Sequence, residues 1–540
     1  MKNNWKRKRM LVILSVALSV ALISGCGKGS QSDVVQTETG APSGTSKSAE
    51  PGMTVQFWST YPDKTNIDGY AMNYLRNKFN VDIEFYQATS ETYKEKLQLE
   101  IASNNVPDWW KNLPFSDYDK MVAQEVVAEI PEELLEKYAP NYMQWLREST
   151  GEQDPLRYVR RNGKVYAMPD LWTPGSNYLV LGMREDWLKK VGIDKTPETI
   201  EEVEAALTKF RNDDPDGNGK KDTYGITGTA GAISQIFSSV FGAFGVYPGA
   251  FTEKDGKIVL GEIEPGAKEA LIVLNRWYKN ELIDPEFIVS KEQNLSEKIL
   301  NEKAGALENP WWEFTPSGAF FSGLYYDKLR ENNPNASWVL SPGPKGPNGE
   351  AGITQLNPYS SSGVQFGKHM ESDQAKLIKY LQIFDDNMSN FETQTNMKYG
   401  EEGKTFQVAE DGSYEFLPPY DDEREQVKFG IGSYYSASGS FNDYELQKPF
   451  MTKKSLMPIR EQAETVGKGK YDIILPIERP IYNEYVEQLN QFTMQNFIDF
   501  IVGRKSISEF DNFVAEWKKL GGDKVMEEAQ QKYDELKAAK

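Results

Sequence analysis

This chain of 540 residues has almost no cysteine and almost no histidine: Cys26 and His369 stand alone. A single thiol excludes any intrachain disulfide, so the sulfur at position 26 has another job. A single imidazole excludes His-rich metal sites, and it excludes any Ser-His-Asp triad that does not use His369. His369 itself, in Gly367-Lys-His-Met, reads as the start of a helix. Gly-x-Ser-x-Gly, His-Glu-x-x-His and a phosphate-binding glycine loop are missing. Carboxylates are too numerous for counting to single out a glycosidase pair. Basic residues are in deficit, 61 against 80 acidic ones, for a net charge of −19. No internal repeat is visible, and the one long apolar run is Met10–Ile23.

That run lies where it is most informative. Lys2, Lys6, Arg7, Lys8 and Arg9 precede it, and Ile23-Ser24-Gly25-Cys26 closes it with small residues before the thiol. It is too short for a comfortable membrane span, which needs roughly 20 apolar residues. The pattern predicts a secretory signal over 1–25, cleavage, and diacylation of Cys26. The expected location is the extracytoplasmic face of the cell membrane, on a lipid tether. Cleavage removes five basic residues and no acidic one, so the net charge becomes −24. Such a surface argues against nucleic acid and against electrostatic adsorption to anionic lipid.

Residues 26–52 are rich in Ser, Gly, Thr, Pro and Gln and read as a flexible linker. Order begins at Thr54. Val55 and Phe57 alternate with polar neighbours, a helical stretch covers 71–79, and Val81, Ile83 and Phe85 alternate again. Strand, helix, strand is the opening of an α/β domain. Thr196 with Pro197 reads as the cap of a helix carrying Ile200, Val203, Leu207 and Phe210. A helix over 481–501 is closed by Gly503, Ser506 and Glu509 form a capping box, and Gly521-Gly522 stop the helix that follows.

Several of these pieces together resemble the lipoprotein solute-binding components of ABC importers, in their family-1, carbohydrate-type group. They are Thr54-Val-Gln-Phe-Trp58, Asn104-Asn-Val-Pro-Asp108, Gly163-Lys-Val-Tyr-Ala-Met-Pro169, Met183-Arg-Glu-Asp-Trp187, Asp214-Pro-Asp-Gly-Asn-Gly-Lys-Lys-Asp222 and the closing helices 497–522. The resemblance implies an α/β, two-lobed periplasmic-binding-protein-like (type II) fold with a central cleft and a hinge crossed more than once. It implies one lobe over 53–168 and 334–368 and another over 169–333 and 369–540. It also implies a monomer that binds an oligosaccharide without chemistry and delivers it to ABC permease subunits. Two other readings stay open: a surface carbohydrate-active enzyme, and a peptide-binding protein of the same fold.

For a sugar ligand, aromatic faces stack on C–H faces while polar groups read the hydroxyls. The candidates are Trp58, Tyr61, Trp109, Trp110, Trp311, Trp312, Tyr434 and Tyr435, with Arg184 as a polar contact. In adjacent pairs on a strand the two side chains point oppositely, so half of each pair is expected in the cleft. Asp214, Asp216, Asn218, Lys220 (through its carbonyl), Asp222 and Thr223 match the first part of a calcium-binding loop, with Gly219 at the turn. Position 12 is Gly225 instead of Glu. A structural Ca2+ is expected there, with one charged ligand fewer than usual.

Overall fold

The computed structural model of the chain describes residues 52–89, 92–435 and 444–538, all within one compact unit. The signal segment, Cys26 and all but the last residue of the linker lie outside the described residues.

The first core is built as the alternation predicts. Thr54–Ser59 buries Val55 and Phe57 and pairs in parallel with Asp82–Gln87, the helix Tyr70–Phe79 lying between them in sequence. A third strand, Trp109–Lys111, pairs antiparallel with the distant Val364–Phe366. The helix Gln374–Ser389 then adds Leu377, Tyr380, Leu381 and Phe384 to the same core.

The second core surrounds a four-stranded sheet ordered Trp338–Ser341, Leu179–Arg184, Ala304–Pro310, Tyr224–Ile226. The helices Ile200–Asn212, Pro265–Lys279, Pro480–Val502 and Phe510–Trp517 cover it. Thr199, not Thr196, caps the first of these, because Glu202 three residues on returns the bond to the cap backbone. Gly521 (φ +114) does not stop the chain but kinks it into a last helix, Asp523–Ala538. A Cβ at Gly521 would lie 2.1 Å from the Tyr485 ring.

The lobe boundaries differ from those expected. Trp338–Ser341 hydrogen-bonds to Leu179–Arg184, and Ile353 lies in the second core, so the second lobe keeps much of 334–368. Met370 to Met397, and Tyr435, lie in the first core. Periodicity tells which face of an element is buried, but not which core receives it.

Two passages of chain, 172–179 and 353–359, run between the cores, and the segment 466–473 lies alongside them within the second lobe. Leu356 N–H donates to the Gly175 carbonyl (3.0 Å), Gln355 N–H to Lys470 (2.9 Å) and Ile353 N–H to Lys468 (2.9 Å). Glycine permits this approach. A Cβ at Gly467 would sit 1.9 Å from the Asn177 oxygen, and one at Gly469 (φ +152) 1.8 Å from that of Ile353. Among the described residues, no helix is long and apolar enough to cross a membrane.

Candidate functional site

The strand Ala304–Pro310 runs buried to Leu307 and then emerges as Glu308-Asn309-Pro310. Pro310 (φ −54) turns it into the 3-10 segment Trp311–Phe314. With three residues per turn, the neighbouring indoles diverge. Trp311 goes into the interior and stacks on Phe320 at 5.3 Å. Trp312, 8 % exposed, lines a cavity of about 350 Å3. Tyr178 lies nearly parallel to it, ring centroids 5.9 Å apart and planes 22° from each other. Trp172 stands edge-on to both.

Polar groups converge around this aromatic face. Asn309, Tyr325, Ser296, Glu292, Glu308 and Glu313 all line the cavity. The Tyr325 hydroxyl lies 3.3 Å from Ser296 Oγ and 3.4 Å from Asn309 Nδ2. Glu308 accepts backbone N–H bonds from Ser238 (2.9 Å) and Ser239 (2.8 Å). Burial pushes its carboxyl up to about 7, against the pull of those donors. Burial also pushes the Tyr178 and Tyr325 phenols up to about 12, and the Glu292 charge adds to both.

A second cavity of about 580 Å3 lies across the segment 230–235, and Ser234 lines both. Its walls include Tyr482, Glu487, Asn490, Gln491 and the buried Glu262. Burial pushes Glu262 up to about 7, although its carboxylate accepts the Gly249 N–H at 2.9 Å. Both cavities are walled by residues beyond the first core.

The aromatic candidates divide sharply. Trp109 and Trp110 are both 0 % exposed, because both faces of their short strand are covered. Trp109 donates from Nε1 to the Gln56 carbonyl at 2.7 Å and meets Phe384 edge-on. Trp58 is buried between Tyr86 and Tyr93, its Nε1 donating to the Trp109 carbonyl. These three form core where the cleft was expected. Tyr435 is buried too and accepts the Asn66 N–H through its hydroxyl. Tyr61 and Tyr434 meet at 4.8 Å, with Tyr61 exposed. Arg184 is also corrected: its guanidinium is fully buried, ion-paired with Asp186 (2.7 Å) and Glu302 (2.9 Å), and 4.8 Å over Trp187. Its Nε and Nη2 meet the two carboxylates, and its buried Nη1 has no hydrogen-bond partner.

The acidic loop turns as its glycines require, with Gly217 and Gly219 both at φ +75. Asp214 accepts the N–H groups of Asn218 (3.1 Å) and Gly219 (2.9 Å). Asn218 reaches Asp216 at 2.6 Å and Asp222 at 3.0 Å, and Lys303 holds the other Asp222 oxygen at 2.6 Å. Desolvation and its neighbour Asp214 push the Asp216 carboxyl up. Desolvation acts on Asp214 in the same direction, but the N–H groups of Gly219, Asn218 and Gly217, together with the neighbouring Asp216, hold it low. Carboxylates gathered in one loop disfavour each other's charge, which a bound cation would relieve. Thr223 leaves the set: it is buried and its hydroxyl donates to the Phe210 carbonyl at 2.6 Å. Among the described residues, no three His, Cys, Asp or Glu side chains converge as a metal site. A cation held in this loop would draw on Asn218 and the Lys220 carbonyl as well as on the carboxylates.

The profile of the bacterial extracellular solute-binding proteins matches residues 70–396. The chain belongs to this family. This solute-binding protein is 24 % identical to Lipoprotein LipO of Bacillus subtilis over 97 % of its own length and 98 % of that protein's. It is 30 % identical to the fructooligosaccharide ABC transporter substrate-binding protein FusA of Streptococcus pneumoniae over 52 % of its own length and 51 % of FusA. The solved structure of FusA with kestose superposes with a TM-score of 0.67 at 19 % identity, covering 90 % of this chain and 99 % of that one. A FusA variant described as an EF-hand mutant superposes at 0.68, at 19 % identity, covering 90 % of this chain and all of that one. The two cores and the passages 172–179 and 353–359 between them are thus the lobes and hinge of a type II binding-protein fold.

Sequence reasoning missed Tyr178, Glu308, Asn309, Glu313 and Tyr325. A signal for two of them was present: Glu308 and Asn309 end a buried strand, and ligands of open α/β sheets bind beyond the carboxyl ends of strands. Tyr178 was hidden because it directly precedes the buried strand Leu179–Arg184, with no turn signal to set it apart.

Proposed function

We propose that this solute-binding protein is the receptor of an ABC importer and captures an oligosaccharide on the Trp312–Tyr178 face. The observation that carries this reading is that stacked aromatic pair, rimmed by Asn309, Glu308, Glu313 and Tyr325. Apolar ring faces and hydroxyl-reading edges are what a sugar requires of its site. FusA, whose name specifies fructooligosaccharides, is a relative of this chain. Tyr61 and Tyr434 are the first lobe's candidates for closing over the sugar. Binding free energy favours the closed state by hinge motion, and the closed form docks on the permease. No bond is made or broken. Cys26 carries the lipid that holds the monomer at the outer face of the membrane. Asp214, Asp216, Asn218, Asp222 and the Lys220 carbonyl hold a structural calcium ion. A relative with a named EF-hand supports that reading.

The test is tryptophan fluorescence titrated with a panel of oligosaccharides, each recovered and analysed afterwards. Saturable quenching or enhancement, with the sugar returned intact, is expected. A sugar returned shortened would make the protein an enzyme.

A further inference from the structure

The two cavities are adjacent and share Ser234, and their linings have one charge sign. Glu292, Glu308 and Glu313 line one, Glu262 and Glu487 the other, with the Glu308 and Glu262 carboxyls raised to about 7 by burial, and among the described residues no lysine, arginine or histidine lines either. Lys298 is engaged with Asp284 and Glu286, and Arg460 with Glu464, while the exposed Lys291 adjoins Glu292 in the chain. We infer that this groove selects an uncharged oligosaccharide and rejects uronate chains, an inference that rests on the carbohydrate reading above.

The chemistry is one of donors and acceptors. A neutral sugar offers hydroxyl donors all round its ring, and carboxylates accept them as charge-assisted hydrogen bonds. A uronate sugar brings a carboxylate on every residue. That charge needs a cation or a set of N–H donors, and the backbone N–H groups of Ser238 and Ser239 are already given to Glu308. The field of the carboxylates reaches the stacking face, since Glu292 bears on both Tyr178 and Tyr325, and Glu313 on Tyr325. A uronate stacked on Trp312 would sit within that field, and like charges in a partly desolvated site repel strongly.

The experiment is a thermal-shift and calorimetric panel on the full chain, run with calcium present. Neutral fructo-, manno-, xylo- and malto-oligosaccharides are set against oligogalacturonate and alginate oligomers. At least one neutral oligomer is expected to bind, with every uronate at least about 100-fold weaker, the scale on which like-charge contacts discriminate. A uronate binding as tightly as the best neutral oligomer would overturn the inference and leave the carbohydrate reading standing. Failure of every sugar, neutral and acidic, would overturn the carbohydrate reading and the inference with it. A second measurement uses Glu292→Lys, an exposed position at the start of its helix. Discrimination against uronates is expected to fall at least about 10-fold. Unchanged discrimination in that variant would show that these carboxylates are not the filter.

Discussion

Gln355 grips Leu179 at both ends of its backbone: the Leu179 N–H donates to Gln355 Oε1 at 3.0 Å, and Gln355 Nε2 donates to the Leu179 carbonyl at 2.9 Å. The same amide also reaches the Lys468 carbonyl at 3.2 Å, so one side chain joins both hinge passages to the segment alongside them. Leu179 and its neighbour Tyr178 line the candidate sugar cavity. The contact therefore couples the site to the element that must move. Gln355→Met keeps the volume but leaves those backbone groups without their partner. It is expected to cost about 2–3 kcal/mol in denaturant unfolding. A change below about 0.5 kcal/mol would mean that water or a neighbour replaces the amide.

Glycine beside the hinge passages is a steric requirement. Gly469→Ala places a methyl where 1.8 Å separates it from the Ile353 oxygen, at φ +152. The hinge passage 353–359 and the segment beside it must then separate, at an expected cost of about 2–3 kcal/mol from strain and overpacking. Calorimetric melting of this variant beside Gly403→Ala gives the comparison. Gly403 also has positive φ, but a Cβ there meets nothing within 4 Å. Equal losses in the two variants would assign the effect to backbone conformation alone.

The two indoles that adjoin in sequence separate in function. Trp312→Ala is expected to weaken sugar binding at least about 10-fold, the loss of one good stacking platform, with a modest loss of stability. Trp311→Ala opens a cavity in the interior and is expected to cost about 3–5 kcal/mol of folding free energy. Titration and unfolding of the two purified variants test this, and a reversal of the two effects would refute the assignment of faces.

Glu262 sets a pH dependence with a definite sign. Its folded carboxyl is raised to about 7 by burial, from 4.5 for an exposed Glu. The folded state therefore holds a proton that the unfolded chain has released, and stability from this group declines as pH rises from about 4.5 to 7. Glu262→Gln removes the titration. Between pH 5 and 8 its stability should fall less than that of the parent, by on the order of 2–3 kcal/mol. Parallel stability curves for the two proteins would contradict this.

Calcium should raise the melting midpoint saturably, and chelator should reverse the rise. In Asp214→Ala the loop loses the carboxylate that accepts the Asn218 and Gly219 N–H groups. The calcium-dependent shift is then expected to vanish. Persistence of the shift in this variant would place the ion elsewhere.

Local order was legible in the sequence because it rests on local physics. The parallel pair Thr54–Ser59 and Asp82–Gln87 with its helix, the capping box at Ser506 and Glu509, and the closure at Gly503 all follow from side-chain period, cap chemistry and glycine. The sequence order of those pieces also sufficed to indicate the family. Tertiary structure decided the rest. Trp109 and Trp312 are both tryptophans beside a tryptophan at a strand end. One is core and the other lines a cavity, because a helix of the first lobe covers Trp109 with Phe384 while a 3-10 turn swings Trp312 out beside Tyr178. Arg184 looked like a ligand contact until Glu302, 118 positions away, was brought to it. Whether a polar or aromatic side chain serves the fold or the ligand depends on partners distant in sequence, and only the packing of the chain brings those partners to it.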